Sequence, residues 1–183
     1  MITAEDEFEE CLDLARQLLS GSDEIADAWE ANELCNRALR LRPRDAVAWL
    51  VKAQVQLELD DPVAALSAVE MALRRMPRSA EVHYLHAASL SQMGRYDDAL
   101  RAITRAFQYA GIASQGDDQG LMEELFYEKA AILEALNRGD EAVATFEAGL
   151  SRYPDSDLLR SGLEPLRRQL LRRSWQVLDG GRS

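Results

Sequence analysis

The chain has 183 residues, of which 47% are hydrophobic and 29% are charged, with ten glycines and five prolines. This composition is typical of one soluble globular domain and excludes collagen-like, low-complexity and disulfide-rich chains. The longest stretch without Asp, Glu, Lys or Arg is the 13 residues 82–94, which is too short to cross a bilayer. Because the first residues are acidic, we expect no secretory signal and a cytoplasmic protein in which Cys11 and Cys35 are reduced core residues.

The net charge of −11 is concentrated at one end of the chain. Residues 1–33 hold 11 acids and one base, whereas residues 34–183 hold 21 acids and 20 bases. Binding to nucleic acid generally needs a basic surface that displaces counterions from phosphates. We therefore expect protein partners, with no nucleic acid and no membrane.

The first 45 residues predict a pair of helices. The first helix covers roughly residues 4–19 and carries many acids. A polar turn follows, and the second helix begins near Ser22 or Asp23, either of which could serve as its N-cap. Pro43 ends this second helix, because proline lacks the backbone N–H and clashes with the preceding turn.

Residues of the same kind then recur at fixed intervals along the chain, starting from Pro43. Pro77 follows it by 34 residues, and His83 follows Trp49 by the same interval. The next interval is 43, from His83 to Phe126. The nine extra residues lie in a stretch rich in glycine and polar residues, which predicts an inserted loop over 111–121.

Each of these repeats predicts two helices, because apolar residues recur at i, i+3 and i+4 on either side of a short polar turn. Pro62 suits the first turn of a helix. The predicted helices span 46–59, 63–75, 81–93, 97–109, 122–136 and 140–152.

A further helical segment covers 156–178 and has one broad apolar side. Pro165 lies inside it and is expected to kink or split it. A helix of this kind caps the exposed face of the last repeat in a solenoid. The tail, residues 179–183, is expected to be disordered.

A 34-residue helix–turn–helix period with small residues at fixed places resembles the tetratricopeptide repeat (TPR) family. The residues that carry the resemblance are Trp49, Ala53, Ala65, Ala72 and Pro77 in one repeat, His83, Ala87, Gly94, Tyr96, Ala99 and Ala106 in the next, and Phe126, Ala130, Ala142, Gly149 and Pro154 in the last. The resemblance implies an all-α solenoid, a right-handed superhelix, within a single domain over 1–178. Its parts are a degenerate first repeat (1–45), three repeats (46–79, 80–113, 123–156) and a C-terminal capping helix (157–178).

Residues that could support catalysis are few. The chain has no glycine-rich phosphate loop, no nucleophile elbow and no metal-ligand cysteine pair. His83 and His86 could in principle hold a metal, but both occupy packing positions of the repeat. We therefore predict a protein that is not an enzyme and that has no cofactor and no metal.

The two lysines, Lys52 and Lys129, occupy the same position of two repeats. They could form a basic column. The alternative, which we favour, is that each long side chain places its charge at the edge of its helix pair.

The resemblance to the TPR family also implies a groove lined by the first helix of each repeat. The positions that correspond to this groove are Leu50, Gln54, Tyr84, Ala88, Tyr127 and Ala131. It would suit a peptide or helical segment with apolar anchors and some positive charge. The alternative is that these side chains pack against neighbouring helices and leave no groove.

Three functions remain open at this stage. The chain is most simply a non-enzymatic adaptor that binds a segment of another protein. It could instead be a secretion-type chaperone that masks an apolar segment of an export substrate, or a scaffold that assembles with itself. In the scaffold, an acidic first helix (Glu5, Asp6, Glu9, Glu10, Asp13) would meet a basic last helix (Arg160, Arg167, Arg168, Arg172, Arg173), with a contact patch of Leu171, Trp175 and Leu178. The alternative is that both helices are solvated caps.

Overall fold

A computed structural model describes residues 3–21, 25–113 and 119–180. Over these residues the chain forms nine helices and no strand, which confirms the predicted all-α fold class. The helices are α1 (Ala4–Gly21), α2 (Ile25–Leu41), α3 (Ala46–Glu58), α4 (Pro62–Leu73), α5 (Ala80–Gln92), α6 (Tyr96–Ala113), α7 (Gln119–Ala135), α8 (Gly139–Arg152) and α9 (Asp157–Gly180). The predicted N-cap of α2 and residues 181–183 of the tail lie outside the described residues. Residues 179–180, predicted to be disordered, continue α9, so this part of the prediction is wrong.

The helices form two compact units, residues 1–95 (unit 1) and 96–183 (unit 2). In unit 1 each helix packs against the next along the chain, and the first helices of the pairs also meet, α1 with α3 and α3 with α5. In unit 2 each of α6, α7 and α8 packs against the next helix, and α7 also contacts α9. The boundary between the units falls inside the predicted repeat 80–113.

Three helices, α3, α5 and α9, begin in the same way, with a capping side chain two residues after a proline. The caps are Asp45, Ser79 and Ser156, and the prolines are Pro43, Pro77 and Pro154. Each cap accepts a hydrogen bond from the backbone N–H three residues on, at 2.9, 3.3 and 3.3 Å. This satisfies an N–H that has no partner inside the helix. Two residues in the sequence, the proline and the capping residue, therefore indicate where each of these helices begins.

The turns between the helices of a pair are also repeated. Asp60, Gly94 and Asn137 have positive φ angles of 55°, 72° and 58°. The backbone N–H of the residue after each one bonds to a carbonyl oxygen five residues earlier, at 2.9, 2.9 and 2.8 Å. This is the hydrogen bond that closes a helix around a left-handed residue. Its spacing, 34 and then 43, is the spacing of the repeats.

The small residues of the repeat lie where helices cross. Ala53, Ala87, Ala99, Ala130 and Ala142, which carry the resemblance to the TPR family, are all 0% exposed. Gly149 stands where the two preceding repeats have Ala72 and Ala106. A Cβ there would lie 2.8 Å from Cδ1 of Leu159 and 3.0 Å from Cγ of Phe126, so only glycine fits without displacing a neighbour.

The nine extra residues mostly lengthen helices. α6 has 18 residues where α4 has 12, and α7 has 17 where α3 has 13. The bounds of the predicted loop, 111–121, are therefore wrong, because α6 runs on to Ala113 and α7 begins at Gln119. Gly111 continues α6 on its exposed side, where the cost of a glycine in a helix is only about 1 kcal/mol.

α9 is one continuous helix, so Pro165 does not split it. Leu159 and Leu163 before the proline and Leu166 after it are buried in one cluster with side chains of α7 and α8. This packing secures both halves of the helix, and it outweighs the hydrogen bond that proline cannot make.

Candidate interaction surfaces

Leu50 does not line a groove, and this prediction is wrong. It is only 6% exposed and belongs to a buried cluster with Val69 and Leu85. Its position on α3 faces α4 and α5, where it contributes to the core of unit 1. The alternative that side chains assigned to the groove pack against neighbouring helices is therefore correct at this position.

The other predicted groove residues of unit 1 are partly accessible. Gln54, Tyr84 and Ala88 are half-buried on the first helices α3 and α5. The Nε2 of Gln54 donates to Oε1 of Glu81 at 3.4 Å and links the two helices. Tyr84 packs against the core cluster that contains Leu50. The first-helix face of unit 1 is thus a mixed polar and aromatic surface.

In unit 2, Tyr127 on α7 is 36% exposed and is the most accessible of the predicted groove residues. Its ring meets that of Phe146 edge-on, with centroids 5.8 Å apart and an interplanar angle of 71°. Gly162 of α9 allows this approach, because a Cβ there would lie 2.5 Å from Cζ of Phe146. The tyrosine is therefore held in place while one side stays open.

Ala131 lies one turn further along α7 and lines a cleft of about 350 Å³ beside α9. Glu134, Gln169 and Arg173 form its polar side. With the Gln169 amide suitably oriented, its nitrogen donates to Oε1 of Glu134 at 3.2 Å and its oxygen accepts from Arg173 at 3.0 Å. This bridge ties α7 to α9.

His83 is a packing residue, as predicted. It is 5% exposed, and its Nε2 lies 3.0 Å from the carbonyl oxygen of Pro77. Trp49 takes the same position one repeat earlier, where its Nε1 donates to the carbonyl of Pro43 at 2.9 Å. Within the described ranges, no group of three or more His, Cys, Asp and Glu side chains is placed to hold a metal ion.

Lys52 lies in a polar cluster between α2 and α3 that sequence reasoning missed. Its ammonium donates to Oδ1 of Asn32 and, at 2.8 Å, to Oδ1 of Asn36. Gln56 also donates to Oδ1 of Asn32, at 2.7 Å. Burial lowers the pKa of Lys52, because desolvation disfavours the charged ammonium. The prediction that this lysine places its charge at the edge of the helix pair is wrong. A signal for this polar cluster was present in the sequence, because Asn32 and Asn36 are four residues apart and so lie on the same face of a helix.

The two cysteines lie in the same part of unit 1. Cys11 and Cys35 are both free and buried, as predicted. Burial raises the pKa of the Cys35 thiol from 9.0 to about 11. The thiol therefore stays protonated near neutral pH, and it behaves as a small core residue.

The acidic face of α1 is largely paired within unit 1. Glu7 bonds to Arg37 at 2.9 Å, and Glu5 and Glu9 both pair with Arg42. Arg37 lies on α2 and Arg42 directly follows it, 30 or more residues along the chain from their partners. The first helix therefore presents less negative charge than its sequence indicates.

Exposed apolar side chains lie on α2 and α9. Ile25 is 67% exposed and Trp29 is 58% exposed on α2, and Leu171 is 60% exposed on α9. The side chains of Trp175 and Leu178, the other members of the predicted contact patch, lie outside the described residues. Along the described parts of the chain, no helix is both long and apolar enough to cross a membrane.

Comparisons with known proteins agree on the architecture. Residues 27–106 match the family of the anaphase-promoting complex, cyclosome, subunit 3, whereas no curated protein matches the chain. Among solved structures, a thermophilic TPR protein of Thermus thermophilus, TTC0263, has 21% identity and a TM-score of 0.74, over 89% of this chain and 82% of that one.

Structures of MamA are also similar. One has 14% identity and a TM-score of 0.65, over 96% of this chain and 92% of that one. MamA 41-end from Desulfovibrio magneticus RS-1 has 18% identity and a TM-score of 0.65, over 84% and 78%. At these identities the likeness concerns the fold.

Proposed function

We propose that the chain, whose fold is that of TPR proteins such as TTC0263, is a non-enzymatic interaction module that binds a short segment of a partner protein on the first-helix faces of its repeats. The observation that carries this proposal is that each unit leaves an accessible tyrosine on such a face. These are Tyr84 on α5 and Tyr127 on α7. Tyrosine offers a large, rigid contact area with a polar end, and so it is common at binding hot spots.

The polar groups beside these tyrosines favour a partner segment with apolar anchors and some positive charge. Glu81 lies on the face of Tyr84, where it accepts a hydrogen bond from Gln54. Glu134 follows Tyr127 by two turns of α7 and lines the cleft beside Ala131. A basic residue in the partner would meet a carboxylate in either place.

The experiment that tests this proposal is affinity capture from a lysate with mass spectrometry, followed by calorimetric titration of the identified segment. Tyr84→Ala or Tyr127→Ala should each weaken binding by more than about 1 kcal/mol. Val63→Ala is the control, because Val63 is 61% exposed but lies on the second helix α4. Unchanged affinity in both tyrosine variants would show that the partner does not bind on the first-helix faces.

Self-assembly is a second candidate, favoured by the exposure of Leu171 among the arginines of α9 and of Ile25 and Trp29 among the acids of α2. An apolar centre with charged surroundings is common in interfaces. Since Glu5, Glu7 and Glu9 of α1 are paired with arginines, the acids of α2 are the better binding surface for the basic helix of a second copy. In either role, a cytoplasmic location stays a prediction.

A further inference from the structure

The internal repeats allow the surroundings of the two lysines to be compared residue by residue. Lys52 precedes Ala53 of α3, and Lys129 precedes the equivalent Ala130 of α7. In the surroundings, the equivalent pairs are Asn32 and Leu100, Asn36 and Thr104, and Gln56 and Leu133. The lysine is therefore retained between the two repeats while all three of these polar neighbours differ.

This difference changes what the ammonium can bond to. In unit 1, the amide oxygens of Asn32 and Asn36 accept from Lys52. In unit 2, the Thr104 hydroxyl donates to the carbonyl oxygen of Leu100 at 2.7 Å. Lys129 makes no hydrogen bond to another described residue, and its Nζ lies 5.4 Å from the centroid of the Phe107 ring. Lys129 is half-buried as a residue, and a ligand oxygen in the cleft would give its ammonium an acceptor that the described neighbours do not supply.

The space around Lys129 is large enough for such a ligand. A cleft of about 460 Å³ opens where α6, α7 and α8 meet. Most of its wall is apolar and comes from all three helices: Leu100, Phe126, Leu133, Ala144 and Ala148. Its polar members are Lys129, two threonines, and the Arg138–Glu141 pair. Apolar walls with a few polar groups at one place are typical of binding clefts.

The charges in the cleft favour an anion. Two cations, Lys129 and Arg138, face one carboxylate, that of Glu141. Two hydrogen bonds of 2.7 Å join Arg138 to Glu141. Hydrogen bonding from Arg138 lowers the pKa of Glu141, and the charge of Lys129 contributes in the same direction. Glu141 is thus already engaged by Arg138, and the side chains that line the cleft have one positive charge in excess, while the charge of Asp97 also acts on Arg138.

We propose that this cleft of unit 2 binds the side-chain carboxylate of an acidic partner segment, with Lys129 as its ion-pair donor. The apolar neighbours of that carboxylate in the segment would lie on Leu100, Phe126 and Ala144. The site differs from the first-helix faces in position and in the charge it selects. A partner could therefore occupy this cleft whether or not another occupies the face of Tyr127.

The test uses the two lysines as separate reporters, since the chain has no others. Protein whose lysines carry a heavy nitrogen isotope is titrated with the blocked peptide Ala-Leu-Glu-Leu-Ala, and its side-chain ammonium signals are followed by NMR. The matched peptide Ala-Leu-Gln-Leu-Ala lacks only the charge. We expect the glutamate peptide to shift the Lys129 signal, to leave the Lys52 signal in place, and to bind at least tenfold more tightly than the glutamine peptide.

Four variants are matched to the site and compared by calorimetry. Lys129→Met should weaken binding of the glutamate peptide at least tenfold, whereas Lys52→Met, at the equivalent position of unit 1, should leave it unchanged. Glu141→Gln should strengthen binding severalfold, because the competing carboxylate is gone. The variant Thr104→Asn supplies one of the acceptors that Lys52 has and keeps the apolar wall, so it should weaken binding of the glutamate peptide.

Three results would overturn the proposal: equal affinity for the two peptides, unchanged binding by Lys129→Met, or equal shifts of the two lysine signals. Circular dichroism establishes that each variant is folded. Should Lys129→Met unfold, Thr104→Asn answers the same question, because it keeps the lysine and the apolar wall and supplies an acceptor for the ammonium.

Discussion

At the scale of single residues, the left-handed turn positions differ in how well the side chain suits the backbone. Gly94 adopts a positive φ without a steric penalty, whereas Asp60 does so at φ 55° with a Cβ atom. Replacing Asp60 by glycine should raise the free energy of unfolding by about 0.5–1 kcal/mol. Urea denaturation measures this change. Asn137→Gly should gain less, because asparagine tolerates this conformation, and a loss of stability in Asp60→Gly would contradict the account.

Cys35 should make stability depend on pH at the alkaline end. The pKa of its thiol is about 11 in the folded chain against an ordinary value of 9.0. Because the folded value is the higher one, the contribution of Cys35 is fully present below pH 9 and is lost as pH rises toward 11. Urea denaturation at pH 8 and pH 10.5 should show this loss. The fall should be smaller in Cys35→Ala, and an equal fall would assign it to other groups.

At the scale of helices, the alanine positions determine how closely two helices approach. Ala99 of α6 is 0% exposed. Leucine at this position should overpack the crossing and lower the free energy of unfolding by roughly 1–3 kcal/mol. Thermal or urea denaturation measures the loss. Ala26→Leu on the exposed side of α2 is the matched control, and it should be nearly neutral. A neutral Ala99→Leu would show that the register of the repeats is wrong.

The helices were predictable because their signals are local. The period of 34 and the apolar spacing placed the ends of α3, α4 and α5 within two residues. The lengthened α6 was not predictable from Gly111, because a glycine that ends a helix and one that continues it on the exposed side look alike in sequence. Tertiary packing decides between them.

The candidate surfaces were harder to predict because they depend on contacts between distant helices. Leu50 and Gln54 are four residues apart on α3, yet one is buried and the other is half-buried. The pairing of Glu7 with Arg37 depends on how α1 packs on α2. A pattern of charge along one helix cannot show which charges a neighbouring helix neutralises.

At the scale of the whole molecule, the charged surfaces predict association that depends on salt. Arg167 of α9 is paired with Glu147 at 2.5 Å, whereas Leu171, one turn further, is 60% exposed. If the basic helix meets the acidic α2 of a second copy, sedimentation velocity should show oligomers at about 50 mM salt that dissociate at about 500 mM, because salt screens exposed charges. Trp29→Ala should weaken them. A monomer at every salt and protein concentration would make α9 a simple cap.

The placement of the two lysines has a consequence for how the chain opens. Lys52 lies inside α3 of unit 1 and Lys129 inside α7 of unit 2, so each unit has one site for a lysine-specific protease, and each site is protected while its helix is intact. Slow proteolysis of the native protein reports the population of locally opened states. Cutting after Lys52 releases residues 1–52, and cutting after Lys129 releases residues 130–183. The ratio of these two fragments over time therefore measures the opening of each half of the chain separately, without a label or a mutation.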